Sequence, residues 1–256
     1  MKSVYLFLCT LIFSGVSFSQ KVSETGDSIN KTDSKGFMQG YWEVTNNNNT
    51  TEKGFYVNNE KDGSWSTCNK KGIVTKVESY RMGKKNGITL TLDDNGYLKS
   101  ESFYINDLLQ GYSRTYLVGA RIGTEIFYKD GIMNGRKRVY YESGKIQEDA
   151  NFKNGLRDST TKWYNDKTIP MAEYFYRNGV FNGVNKTYSD TGNVIIEETY
   201  SNNILNGAYK EYFDTKDKKV KVSGTYVNGL KEGAWTEYDE TGKVVKETMW
   251  KKGQKK

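Results

Sequence analysis

The sequence predicts an all-β protein: an elongated, single-layer antiparallel sheet of stacked β-hairpin repeats. Three observations carry that expectation. A glycine-marked phrase recurs about every 24 residues. Turn signals punctuate short β-branched and aromatic runs. The chain is also polar on average, with Gly 26, Tyr 20 and Pro 1, which suits a thin sheet better than a thick core.

The phrase is clearest in Tyr226-Val-Asn-Gly229-Leu-Lys-Glu-Gly233-Ala-Trp-Thr-Glu-Tyr238. It recurs as Phe152-Lys-Asn-Gly155, Tyr176-Arg-Asn-Gly179-Val-Phe-Asn-Gly183 and Tyr200-Ser-Asn-Asn203-Ile-Leu-Asn-Gly207. With the second glycine of each phrase as an anchor, the units are marked by Gly40, Gly63, Gly87, Gly111, Gly135, Ser159, Gly183, Gly207 and Gly233. The steps are 23, then 24 six times, then 26. A period of this size marks a repeat array, in which each unit contacts only its neighbours. Nine units therefore form one elongated domain.

Taken in order, residues 1–20 read as an export signal. Lys2 gives a positive start, Val4 to Phe13 is apolar, and Ser17-Phe18-Ser19-Gln20 supplies small residues for cleavage. The expected location is periplasmic, cell-surface or secreted. Loss of the signal removes Cys9 and leaves Cys68 alone, so no intramolecular disulfide forms; Cys68 is expected as a packed side chain. Residues 21–36 carry only Val22 and Ile29 as apolar side chains and read as a disordered linker. The array spans 37–250, with a degenerate, capping first unit and a loop at Asn46–Asn49. Residues 251–256 read as a basic tail that trails away from the sheet.

Within the unit from Gly183, Val184 to Ser189 and Val194 to Tyr200 have strand character, and Asp190-Thr191-Gly192 is a turn. The turn recurs as Asp94-Asn-Gly96, Glu142-Ser-Gly144 and Glu240-Thr-Gly242. A polar residue with glycine two later suits a three-residue hairpin loop with a left-handed glycine. Such a loop pairs the fifth residue after the anchor with the eleventh. The fifth positions are Leu92, Tyr116, Tyr140, Tyr164, Tyr188, Tyr212 and Tyr238, and the eleventh are mostly aliphatic. The seventeenth positions, Tyr80, Tyr104, Tyr128, Phe152, Tyr176, Tyr200 and, with small offsets, Tyr226 and Trp250, share their parity. Simple alternation therefore places all three columns on one face. The register across the second turn is left open, and the anchor glycine is expected as a bulge or a close backbone approach.

Charge and composition narrow the chemistry. The net charge is +7, but Lys2 and four lysines of the last six residues supply five of the 38 basic residues. The body holds 33 basic against 31 acidic residues, a balance that argues against nucleic acid. Membrane-surface contact is expected only through the basic tail. The chain has no histidine, the commonest general base and metal ligand, so no metal, cofactor or catalytic site is assigned. A carboxylate column stands fourteen residues after the anchors: Glu101, Glu125, Asp149, Glu173, Glu197 and Glu247. It is read as a solvated face balanced by Arg138, Lys162, Lys186 and Lys210. A secreted hydrolase using two such carboxyls across a scissile bond is the less favoured alternative. The binding candidates are Tyr116, Tyr140, Tyr164, Tyr188, Tyr212 and Tyr238, whose rings can stack on sugars or anchor a protein and equally pack the sheet.

The pattern Tyr-x-Asn-Gly-x-x-x-Gly-x-x-x-x-Tyr, at Tyr200–Tyr212 and Tyr226–Tyr238, resembles the MORN repeat in its bacterial variant form, over about residues 37–253. The resemblance implies an extended antiparallel sheet of stacked hairpins and a binding or scaffolding role without catalysis. It also implies a grouping with antitoxin components of toxin–antitoxin systems, although an exported chain would not meet a cytosolic toxin. Eukaryotic proteins of this look are associated with membrane lipids; their Gly-x-Gly is here Gly207-Ala-Tyr and Gly233-Ala-Trp. The expectation is thus an exported, non-catalytic scaffold for a protein or cell-envelope component, with a toxin-binding role as the alternative.

Overall fold

The computed structural model describes residues 29–256. The expected export signal and the first eight linker residues lie outside the described residues. Those described form 23 strands in one antiparallel sheet and no helix.

Two turn types recur along the array. In the hairpin of Gly183–Tyr188 and Val194–Ser201, Tyr188 stands opposite Val194. Ser189 N–H donates to the Asn193 carbonyl at 2.9 Å, and Gly192 takes φ +85°. This is the expected three-residue loop, and the fifth-to-eleventh pairing holds at Leu92–Leu98, Tyr116–Ile122, Tyr140–Ile146, Tyr164–Pro170 and Tyr238–Val244, while Tyr212 meets Val220, two residues further on. The side chain that secures several of these loops sits one residue before the motif read from sequence. Asp93 Oδ1 accepts from the N–H groups of Asn95 and Tyr97, and Asp239 Oδ1 from those of Thr241 and Lys243. A short acidic or amide side chain there satisfies two turn donors at once.

The second turn closes with two residues at positive φ, such as Asn202 (+51°) and Asn203 (+65°), or Asn228 (+50°) and Gly229 (+79°). This is the mirror-image turn that matches strand twist, which explains Asn-Gly and Asn-Asn there. Its second residue also ties neighbouring units together. Gly229 N–H donates to the Leu205 carbonyl at 2.8 Å, and Asn203 N–H to the Phe181 carbonyl at 3.0 Å. Where Asn replaces Gly, its side chain adds a bond: Asn203 Oδ1 accepts from Phe181 N–H at 2.7 Å.

Two irregularities decide which side chains meet. Tyr188 faces Val194, but Thr187 faces Ile196, so the returning strand carries one extra residue. That β-bulge reverses the alternation beyond it. The fifth and eleventh columns keep one face, and the seventeenth column goes to the other. The expectation of one shared face is therefore corrected: parity counts residues, and the bulge adds one. The second irregularity lies at the anchors. Glu198 faces Tyr209 while Tyr200 faces Leu205, with Gly207 at φ +131° inside the slip, so the anchor is a bulge. All the anchors have positive φ, including Ser159 at +66°. The first hairpin runs unbroken from Gly40–Tyr56 to Thr45–Thr51, and its missing bulge residue accounts for the step of 23. The longer loop between Tyr212 and Val220 accounts for the step of 26.

Both ends differ from expectation. Lys31–Thr32, placed in the linker by sequence, pairs with Met38 and Gln39, and Asn30 brackets the Glu43 backbone with hydrogen bonds of 3.0 and 2.8 Å. The tail does not trail away: Trp250 pairs with Lys255 and Lys251 with Gln254. The buried set is thin, with Ala150 and Thr161 fully enclosed and Trp65, Cys68, Val194, Tyr212 and Trp235 nearly so.

Candidate functional site

The face that carries the candidate tyrosines is crossed by an ion ladder. Cross-strand register sets Glu101, Arg114, Glu125, Arg138, Asp149, Lys162, Glu173, Lys186, Glu197 and Lys210 side by side in alternating sign. Arg114 bridges Glu101 at 2.8 Å and Glu125 at 2.7 Å, and Lys162 reaches Glu173 at 3.0 Å. Opposite charges directly across a sheet support pairing. The expected solvated column is corrected here: Glu125 and Asp149 keep only 15 % and 18 % of side-chain exposure. Glu247, near the open end, remains exposed.

The tyrosines back this ladder. Tyr212 Oη donates to Glu197 at 2.7 Å, Tyr188 Oη lies 3.4 Å from Glu173, and Tyr238 shares a hydrogen bond with Ser223. Burial, reinforced by Glu173, pushes the Tyr188 hydroxyl up to about 12. Burial and Glu101 do the same to Tyr116. Tyr140 and Tyr164 stand in the same column, against Ile146 and Pro170. The six rings are thus brought onto one face in one row.

The opposite face carries aromatic shelves roofed by cations. Lys61 lies 4.1 Å above Trp65, Arg157 covers Phe152, Trp163 and Tyr176, and Lys231 lies 3.9 Å above Trp235 and 5.0 Å above Trp250. Most roofing cations have acids beside them. Lys85 and Lys76 meet Glu78 at 2.7 and 2.9 Å, and Glu148 meets Lys137 at 2.8 Å and Arg157 more closely still. Burial opposes ionisation of Glu148, and Lys137 and Arg157 outweigh it, so its carboxyl stays below the ordinary range.

A third feature was not read from the sequence. The residue after each mirror-image turn is aliphatic from Leu108 through Ile132, Leu156, Val180 and Ile204 to Leu230. Five of these, Val180 apart, are 48–51 % exposed and form a ribbon along the turn edge. The ribbon presses on the next unit: a Cβ on Gly253 would lie 3.2 Å from Leu230. The signal was present, since an aliphatic follows each such turn from Asn106-Asp107 to Asn228-Gly229, but single exposed aliphatics say nothing until the register lines them up.

An open sheet of stacked hairpins with long continuous faces is the architecture of a repeat scaffold. No curated protein matches the chain. The family model described as the MORN repeat variant matches residues 133–154, 181–202 and 231–252. Each match begins two residues before an anchor glycine, at Gly135, Gly183 and Gly233, so model and period share one phase. Three of the nine units are thus similar to the MORN repeat variant.

Proposed function

We propose that this chain is an exported, non-catalytic scaffold that holds a protein or cell-envelope component along its sheet. The aliphatic ribbon from Leu108 to Leu230 is the observation that supports it most. Half-exposed aliphatics in a continuous row keep a large apolar surface in water, which a docking partner would cover. The ladder face supports the non-catalytic part of the reading. Its acids alternate with cations across the strands, so no two carboxyls of the ladder directly face one another.

The test has two arms. Fractionation of the native host places the chain in the envelope or medium; recovery from the cytosol alone would reject export and favour the toxin-binding alternative. Cross-linked capture from the envelope fraction is then compared between the wild type and Ile132→Lys/Leu156→Lys. A partner lost only in the variant, with an unchanged circular dichroism spectrum, supports the ribbon. Equal capture by both overturns it.

A further inference from the structure

The shelf at the last complete unit differs from the others in one respect. Tyr209, Tyr226, Trp235 and Trp250 surround Lys231 in a cavity of about 310 Å³. Trp235 is its floor: it stacks on Tyr209 at 5.3 Å, meets Tyr226 edge-on at 5.1 Å and donates its indole N–H to the Thr225 carbonyl. Trp250, Tyr209 and Tyr226 are half-buried and leave ring surface open.

The unit of Trp65 holds the same arrangement. Gly54 lies under Trp65 as Gly224 lies under Trp235, and Lys61 roofs the first ring as Lys231 roofs the second. In the first unit Glu52, opposite Thr67, pairs with Lys61 at 2.9 Å. In the last, the matching position opposite Glu237 is Val222. Glu78 and Glu148 supply acids to the intervening cations Lys85 and Arg157. Among the described residues no carboxylate lies within 4.0 Å of the Lys231 ammonium. The rim carboxylates are engaged elsewhere, Glu211 with Lys221 at 2.6 Å and Glu237 with Lys246 at 2.8 Å.

We propose that this cavity binds an acidic saccharide, with Lys231 taking its carboxylate and Trp250 and Tyr226 stacking on its ring. An uncompensated ammonium held on aromatic rings calls for an anion. Open aromatic faces suit the flat CH faces of a sugar. Glu211, Glu237 and Thr248 on the rim offer oxygen acceptors for hydroxyl groups, which an acidic peptide has in far smaller number. The volume is at the lower end for small-ligand sites and fits a short saccharide. This inference goes beyond the scaffold reading and uses the face opposite the ribbon, because Leu230 and Lys231 alternate along one strand.

The test titrates the full chain with a uronic-acid trisaccharide, its carboxyl-reduced neutral counterpart and an Asp/Glu-rich peptide, read by tryptophan fluorescence and calorimetry. The acidic trisaccharide is expected to bind at least tenfold more tightly than either of the other two. Lys231→Gln and Val222→Glu are each expected to lose at least tenfold, and Lys61→Gln to leave binding unchanged. No binding by the folded wild type, equal binding of the neutral sugar or of the peptide, or insensitivity to both cavity variants would overturn the proposal. Ile132→Lys/Leu156→Lys is expected to retain the saccharide, so failure of one reading is distinguishable from failure of the other.

Discussion

The units of Trp65 and Trp235 sit near opposite ends of the array and share one packing plan. In both, a tryptophan lies flat over a strand glycine, sends its indole N–H to a backbone carbonyl on the same neighbouring strand, and carries a lysine on its outer face. They differ in what neutralises that lysine: Glu52 in the first, nothing comparable in the last. Packing and electrostatics are therefore separable in this fold. The tryptophan–glycine stack holds the shelf, and the column across the sheet decides whether its cation is spent internally or left available.

The largest effect should come from the shared part. Trp65→Ala and Trp235→Ala should each cost about 4 kcal/mol in urea unfolding, because each empties a nearly buried ring site. Costs that differ by more than twofold would break the equivalence of the two units. Next come the glycines. A Cβ at Gly54 or Gly224 would sit 2.4 or 2.3 Å from the ring above it, so Gly→Ala at either should cost about 2 to 3 kcal/mol by forcing the ring off its seat. A neutral outcome in thermal melts would mean that the rings are held by something other than this contact.

Acid should separate the two ends. Burial raises the Glu78 carboxyl, but Lys85 and Lys76 outweigh it, so its folded pKa lies below the ordinary 4.5. A depressed carboxyl contributes stability that is present above that ordinary value and lost as pH falls through the folded one. Glu78→Gln should cost about 2 kcal/mol at neutral pH, the worth of bonds to charged partners, and little at pH 2. In the wild type, hydrogen-exchange protection factors near Lys85 should fall on acidification before those near Lys231, where Gly224 stands in the place of Glu78. Simultaneous loss would remove the distinction. The smallest effect belongs to the column itself. Glu52→Val should cost about 0.5 kcal/mol, the scale of a partly exposed ion pair; Val222→Glu should bring no matching gain, because its cross-strand partners are Glu211 and Glu237. A calorimetric melt left unchanged by Glu52→Val, or raised by Val222→Glu, would contradict this assignment.

Much of this was legible beforehand because it is local. The loop joining Tyr188 to Val194 needs only a left-handed Gly192, and Asn228-Gly229 needs only two residues that accept positive φ. What escaped was set by pairing across strands. One extra residue after Val194 sent Tyr200 to the face opposite Tyr188, and no residue type in the strand announces that bulge. The acids are legible as one column balanced by Arg138, Lys162, Lys186 and Lys210, but not as one alternating row, since adjacency of Lys162 with both Asp149 and Glu173 depends on register. Leu108, Ile132 and Leu156 likewise became a ribbon only once the turns were aligned.

The period, the turns and the fifth-to-eleventh pairing belong to the sequence alone, because short loops are governed by the φ preferences of the few residues inside them. Which columns share a face, and which lysine is left without an acid, belong to the tertiary structure. Both follow from hydrogen-bond register between strands, where a single bulge residue moves every side chain beyond it to the other side.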